Sequence, residues 1–257
     1  MKLDAYQLKL IAIIAMVLNH IVITWWAIVP TALAFPMYAV GGLTFPIMAF
    51  FVVEGYKHTS SLKKYVTRIL IVGLIALPFH FLTLGLALFP GLNIMFTIAL
   101  SLGVLTLYDK IKSRPLFWVI YVLLIVPISF IFELSFPAVT MVLLFYIIKN
   151  EKMRRILPPI VSAVLNLLLS VFVAIGYLIS GKEMTEMEGL MGDPMFSAVS
   201  ATFLIGILLA PVLLMRFDGE RGKNAKWLFY IFYPAHLAVL AVVALALGLV
   251  DFRILDL

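Results

Sequence analysis

Long apolar runs separated by short charged clusters make up almost the whole chain. Nine hydrophobic segments can be drawn, at residues 8–29, 33–56, 66–86, 92–108, 116–132, 134–148, 156–180, 195–215 and 227–250. The first spans 22 residues, roughly 33 Å as a helix and enough to cross a bilayer core of about 30 Å. Nothing repeats with a period of 20–50 residues, and no linker or low-complexity stretch divides the pattern. The expectation is one all-α, polytopic membrane domain over residues 1–257, with about nine transmembrane helices. The sixth segment is short for a span. With Glu133 and Pro137 beside the preceding turn, the fifth and sixth together read as a candidate re-entrant hairpin.

The clusters between segments predict orientation. Of 19 Lys and Arg, all but Lys182 and Arg253 fall at the N-terminus or in the second–third, fourth–fifth, sixth–seventh and eighth–ninth loops. The opposite loops carry Glu183, Glu186, Glu188, Asp193 and Asp251. Under the positive-inside rule this places the N-terminus in the cytoplasm and the C-terminus outside. Ala32-Leu33-Ala34 fits a signal-peptide cleavage site, but the first apolar run exceeds the usual ~7–15 residues and contains Asn19 and His20. It reads as a retained helix in a multi-pass protein of the cell membrane.

Composition narrows the classes further. At 64% hydrophobic, 12% charged and a mean hydropathy of +1.15, the chain needs lipid as part of its solvent. The net charge of +6 is spread as topology signals rather than along a polynucleotide track, so nucleic acid is not an expected partner. There is no cysteine to act as nucleophile or ligand, and the four histidines are scattered. No metal site is expected.

Candidate chemistry sits where polar groups interrupt the apolar runs. His20 lies near the middle of the first segment, and Lys9 precedes it by eleven positions, which returns nearly to the same helical face. An ionisable side chain at that depth is a functional candidate. His236 lies about ten residues into the last segment, matching the depth of His20 and suggesting a shared polar cavity. Glu54 and His58, four apart, are placed to pair or to sit at the interface. Asn93 and Asn166 read as interhelical hydrogen-bond formers. His80, after Pro78, reads either as lining a cavity or, preferred, as outer-interfacial, and Glu133 reads as interfacial. Ser60 or Ser61 reads as the N-cap of a helix whose first turns carry Lys63, Lys64 and Arg68. Cations there oppose the helix dipole, a conflict that a bound phosphate or anionic lipid headgroup relieves.

The stretch 8–20, ending Leu18-Asn19-His20, resembles the opening of the TraX family of conjugation-associated membrane proteins. So do Thr44-Phe45-Pro46 with Glu54-Gly55-Tyr56-Lys57-His58-Thr59, Asn93-Ile94-Met95-Phe96-Thr97 and Phe232-Tyr233-Pro234-Ala235-His236-Leu237. Members of that family are implicated in N-acetylating the pilin subunit. More distantly the chain is similar to the membrane acyltransferase-3 group, with Lys9 and His20 at the places of its arginine and histidine. Asn19 stands where TraX relatives usually carry Asp.

The resemblance implies an acyltransferase that moves an acetyl group from cytosolic acetyl-CoA to a peptide N-terminus, glycan or other amine or hydroxyl. His20 is its expected general base, with Asn19, His236 and Glu54 as further catalytic candidates. Lys9, Lys57, His58, Lys63, Lys64 and Arg68 are the expected CoA contacts. The rival reading is a permease or proton-coupled exporter using His20, Glu54 and His236 as a relay.

Overall fold

The computed structural model describes residues 2–85, 91–180 and 193–249. Lys182, Glu183, Glu186, Glu188, Asp251 and Arg253 lie outside them. Asp4 opens the first helix, α1 (Ala5–Thr24), through a capping box. Its carboxylate accepts from the Gln7 N–H at 2.8 Å while Gln7 Oε1 accepts from the Asp4 N–H at 3.0 Å. The buried face of α1 carries Ala5, Ala12 and Ala15 beside Leu8. These small residues let α2 (Thr31–Gly41) and α3 (Thr44–His58) pack close against it.

α2 and α3 form one long apolar rod broken at Gly41-Gly42-Leu43. The break lies where α11 (Phe203–Leu214) crosses. A Cβ on Gly42 would collide with the Phe203 carbonyl, and one on Gly206 with the Ala39 carbonyl. Only glycine permits that backbone-to-backbone approach.

The remaining helices are α4 (Leu62–His80, continued by a π-turn to Gly85), α5 (Ile94–Lys110), α6 (Arg114–Ile120) and α7 (Val126–Ser129), the last two joined by a π-turn. They are followed by α8 (Ser135–Ile147), α9 (Glu151–Ile179), α10 (Pro194–Ala201) and α12 (Lys226–Ala246). Six stretches among the described residues are long and apolar enough to cross a membrane: Ala5–Thr24, Thr31–His58, Leu62–Leu84, Glu151–Gly176, Pro194–Leu214 and Trp227–Ala246. The fifth and sixth expected segments are shorter, at Arg114–Ser129 and Ser135–Ile147. They turn back through Leu134 and Ser135, both at positive φ.

The two arms of that turn differ. The π-turn between α6 and α7 exposes Val122, Leu123 and Leu124, whereas α8 buries Val139, Met141, Val142, Leu143 and Phe145. α8 is the central post, packed on α9, α3 and α5. At 13 residues it is about 20 Å long.

Cross-chain contacts put the basic loops at one end. Leu3 pairs with the loop after α11, where its N–H donates to the Arg216 carbonyl at 2.9 Å and its carbonyl accepts from Asp218 N–H at 3.0 Å. Arg154 at the start of α9 reaches Glu54 on α3 at 2.8 Å, and Arg155 donates to the Phe217 carbonyl at 3.0 Å. Tyr56 and Tyr146 both donate to Asp109 at the end of α5 (2.8 and 2.7 Å). We call this the basic end. At the opposite end the Leu92 N–H donates to the Ile131 carbonyl, and the Trp26 indole N–H donates to Asp193 at 2.8 Å.

Candidate functional site

α1 and α12 meet along the face that carries Lys9 and His20. There His20 and His236 are both buried, with 4% and 7% of their surfaces exposed. Their rings lie 5.0 Å apart and 10° from parallel, and His20 Nδ1 is 2.8 Å from His236 Nε2. His236 Nδ1 is 2.9 Å from the Phe232 carbonyl.

That carbonyl can only accept, so His236 Nδ1 carries the hydrogen. In the neutral pair His236 Nε2 is then a lone pair, which accepts from His20 Nδ1–H. The remaining nitrogen, His20 Nε2, is left as an unprotonated acceptor with no hydrogen bond among the described residues. The main chain of α12 thus selects the tautomer of a histidine on α1. The two histidines, expected to share a polar cavity, are in direct contact.

Further polar groups occupy the layer around the pair. His80, expected at the outer interface, is buried at 3% exposure, lies toward His20, and has no partner for Nδ1. Glu133, expected to be interfacial, is partly exposed at the end away from the basic loops. It turns inward, where Oε2 accepts from the Ile94 N–H at 2.8 Å at the start of α5. The Tyr233 hydroxyl lies by that same amide. Thr24 Oγ1 and Asn19 Oδ1 are buried without partners, and Ser200 Oγ lies beside Tyr38. Buried polar atoms are normally satisfied, so this concentration marks a place built to hold polar matter.

The other expected site residues separate. Asn19 faces α2, where Gly41 makes room for its Cβ; the group that orients His20 is His236. Glu54 does not pair its carboxylate with His58, whose Nδ1 bonds the Glu54 backbone carbonyl at 2.8 Å. The Glu54 carboxylate is taken by Arg154, with Lys57 at 3.9 Å. This basic-end engagement keeps it from serving as a relay member beside the histidines.

Lys63 and Lys64 are exposed, and Arg68 is half-buried with its Nε unpartnered. Ser61 does cap α4, accepting from the Lys64 N–H at 3.4 Å. Asn93 bridges helices, donating to the Gly73 carbonyl at 2.9 Å, but Asn166 bonds within its own helix to the Ser162 carbonyl.

A cleft of about 290 Å³ opens at the basic end between α1, α3, α4, α5 and α12. Its lining includes Lys9, whose Nζ lies 4.7 Å from the Phe51 ring centre and 5.6 Å from that of Phe229. Arg221 and Lys223 also line it. Sequence reasoning passed over both as topology charges. The signal that marks them is the Gly219-Glu220-Arg221-Gly222 turn, whose two glycines take positive φ and fold the loop compactly over α1.

Fold and site define an all-α multi-pass membrane protein with a tautomer-locked histidine pair between its first and last helices. The TraX protein family model matches residues 4–244, and the chain belongs to that family. A Dichelobacter nodosus protein described as "Probable fimbrial assembly protein FimC, serogroup H1" is 31% identical over 276 aligned positions, which cover 92% of this chain and 94% of that protein. No solved structure matches the chain.

Proposed function

We propose that this protein is a membrane acyltransferase serving pilus or fimbrial assembly, moving an acetyl group from cytosolic acetyl-CoA to an amine or hydroxyl of its acceptor. The observation that carries the reading is the free Nε2 of His20. A buried imidazole whose other nitrogen is held by a second histidine is a positioned base. In the step we propose, the acceptor nitrogen or oxygen attacks the thioester carbonyl carbon. The new C–N or C–O bond forms, the C–S bond breaks, and the acceptor's proton passes to His20 Nε2. The same proton then goes to the departing thiolate, which leaves as CoA thiol. The family and the fimbrial-assembly description of the relative favour a pilin-type peptide amine as acceptor.

The basic end faces the cytoplasm in this reading, so that donor and basic loops share a compartment. A reporter fused after Lys112 then signals cytoplasmic; an external signal overturns the orientation. The activity test is single-turnover transfer from radiolabelled acetyl-CoA by the purified full chain, offered peptide amines and glycans. Turnover that depends on His20 supports the proposal. No transfer to any acceptor, or full transfer by His20→Ala, removes it.

A further inference from the structure

The cleft at the basic end gathers three cations. Lys9, Arg221 and Lys223 line it together, and none has a carboxylate partner among the described residues. Lys9 is half-buried beneath two aromatic rings, and Lys223 Nζ lies 5.8 Å from the Tyr6 ring centre. Arg221 Nη2 donates to Asn224 Oδ1 at 2.9 Å, which fixes the guanidinium at the rim. Three like charges around one partly enclosed space repel each other unless an anion joins them. Three acids flank the same loop, Asp4, Asp218 and Glu220; the Asp4 and Asp218 carboxylates accept from the Gln7 and Glu220 N–H groups, and none of the three forms an ion pair with Lys9, Arg221 or Lys223 among the described residues.

Below the rim the lining becomes apolar, through Met48, Val52, Ile69, Val72 and Met95. Val72 and Met95 also pack against the cluster that contains Val22, Ile23, Tyr233 and Leu237, the neighbours of the histidine pair. Lys9 and His20 are eleven residues apart on α1, roughly 16 Å along the axis. The cleft is therefore a charged mouth over an apolar interior, two of whose residues, Val72 and Met95, pack on the cluster beside the pair.

We propose that this cleft binds a phosphate-headed carrier with a slender arm, the phosphate ester at Lys9, Arg221 and Lys223 and the arm running down the apolar interior toward His20. Resting on the acyl-transfer reading, the carrier is coenzyme A. Its phosphates stay at the mouth, because a cleft of about 290 Å³ takes the arm and not the nucleotide. This moves the donor contacts from the Lys63, Lys64 and Arg68 helix start to the loop before α12, while α4 contributes Tyr65, Ile69 and Val72 as a wall. The phosphate of an anionic lipid has the same head chemistry, so the test must separate the two sources.

The experiment is binding to the purified full chain in nanodiscs of zwitterionic lipid. The probes are coenzyme A, 3′,5′-ADP as the head without the arm, and dihexanoyl phosphatidylglycerol. Arg221→Gln/Lys223→Gln should weaken coenzyme A and 3′,5′-ADP by about 30-fold, two charge-assisted contacts discounted for a wet, salt-screened mouth. Lys63→Gln/Lys64→Gln should change either by less than about 3-fold. Val52→Phe, which narrows the apolar interior, should weaken coenzyme A more than 3′,5′-ADP. Wild-type affinity should fall steeply with salt, a readout that needs no variant.

Unchanged coenzyme A affinity in Arg221→Gln/Lys223→Gln overturns the site. So does cation-dependent binding of phosphatidylglycerol with none of coenzyme A, which makes the cleft a lipid site. Cation-dependent coenzyme A binding without His20-dependent transfer to any acceptor leaves the site standing and removes the transferase reading alone.

Discussion

Two polar layers cross this helix bundle, and they differ in how their groups are paired. At the basic end Glu54 and Asp109 are paired across helices, while the Nε atoms of Arg68, Arg154 and Arg155 are left unpartnered. Glu54 meets Arg154, the Arg154 guanidinium stacks over Phe50 at 4.9 Å, and Asp109 receives two tyrosine hydroxyls. Around the histidine pair no carboxylate or guanidinium closes such a set, and His80 Nδ1 and Thr24 Oγ1 are buried and unpartnered. A buried ion pair between distant helices fixes how they dock, whereas a layer of unsatisfied groups costs stability and is retained where something must bind or react. The first layer is a clasp and the second is a workplace.

Removing the base is the sharpest way to break this contrast. His20→Ala should lower single-turnover transfer by about 10²–10⁴-fold, the usual loss for a general base, while coenzyme A affinity and melting temperature stay near wild type. His236→Ala should be milder, and His236→Gln milder still, because a glutamine oxygen can accept from His20 Nδ1–H and preserve the tautomer. An equal loss of activity and of stability in all three variants would make the pair a packing device like the layer below it.

The clasp should answer in stability rather than rate. Arg154→Met leaves Glu54 without its main partner. Breaking a fully buried pair costs about 3–5 kcal/mol. Glu54 retains 26% side-chain exposure, so about 1–3 kcal/mol is expected here, read as a drop in melting temperature. Arg154→Met/Glu54→Gln should recover part of it. If the surviving folded Arg154→Met protein lost turnover as severely as His20→Ala, Glu54 would belong to the chemistry after all.

The glycine crossing tests whether the two layers depend on one docking geometry. Gly206→Val places a branched side chain against the Ala39 carbonyl and the Gly42 backbone, and backbone cannot swing away as a side chain tip can. Overpacking of this kind costs about 1–3 kcal/mol. Gly103→Ala, which meets nothing within 4 Å, is the control and should leave the melting temperature essentially unchanged. Helix entropy favours alanine over glycine, so equal destabilisation by both would mean that close backbone approach at the crossing is not what makes Gly206 necessary.

How much of this could be read from residue order depends on what kind of contact made it. The meeting of His20 and His236 was legible because depth can be counted from each helix end, and the face shared with Lys9 follows from helical periodicity. Arg154 with Glu54 was not legible. They are 100 positions apart, and an arginine that clasps looks the same as one that signals topology. The same ambiguity hid Arg221 and Lys223, and drew attention to Lys63 and Lys64, which the fold leaves exposed. The central place of α8 was hidden for a different reason. Lipid tails and a protein core are equally apolar, so a helix buried on every side and one facing lipid share the same hydropathy. Only the shortness of the segment hinted at it.

The smallest expected effect lies outside both layers, at the end away from the basic loops. Asp193 caps α10, accepting from the Met195 and Phe196 N–H groups, and also accepts from the Trp26 indole at the end of α1. The Trp26 hydrogen bond, then that from Met195, holds its carboxyl below the usual carboxylate range. The folded value is depressed, so the contribution is complete above the unfolded value of about 3.9 and is lost as pH falls through the folded one. Asp193→Asn keeps an oxygen acceptor but not the charge. The difference in melting temperature between the two proteins should therefore be small, constant from about pH 7 to pH 5, and vanish below the ordinary carboxylate range. Fluorescence of the Trp26 indole, compared with a Trp26→Phe variant, reports the contact directly. A difference that instead grew on acidification would mean that Asp193 is destabilised by its setting. The link between the ends of α1 and α10 would then rest on the apolar contact of Trp26 with Phe196, whose ring centres are 5.0 Å apart.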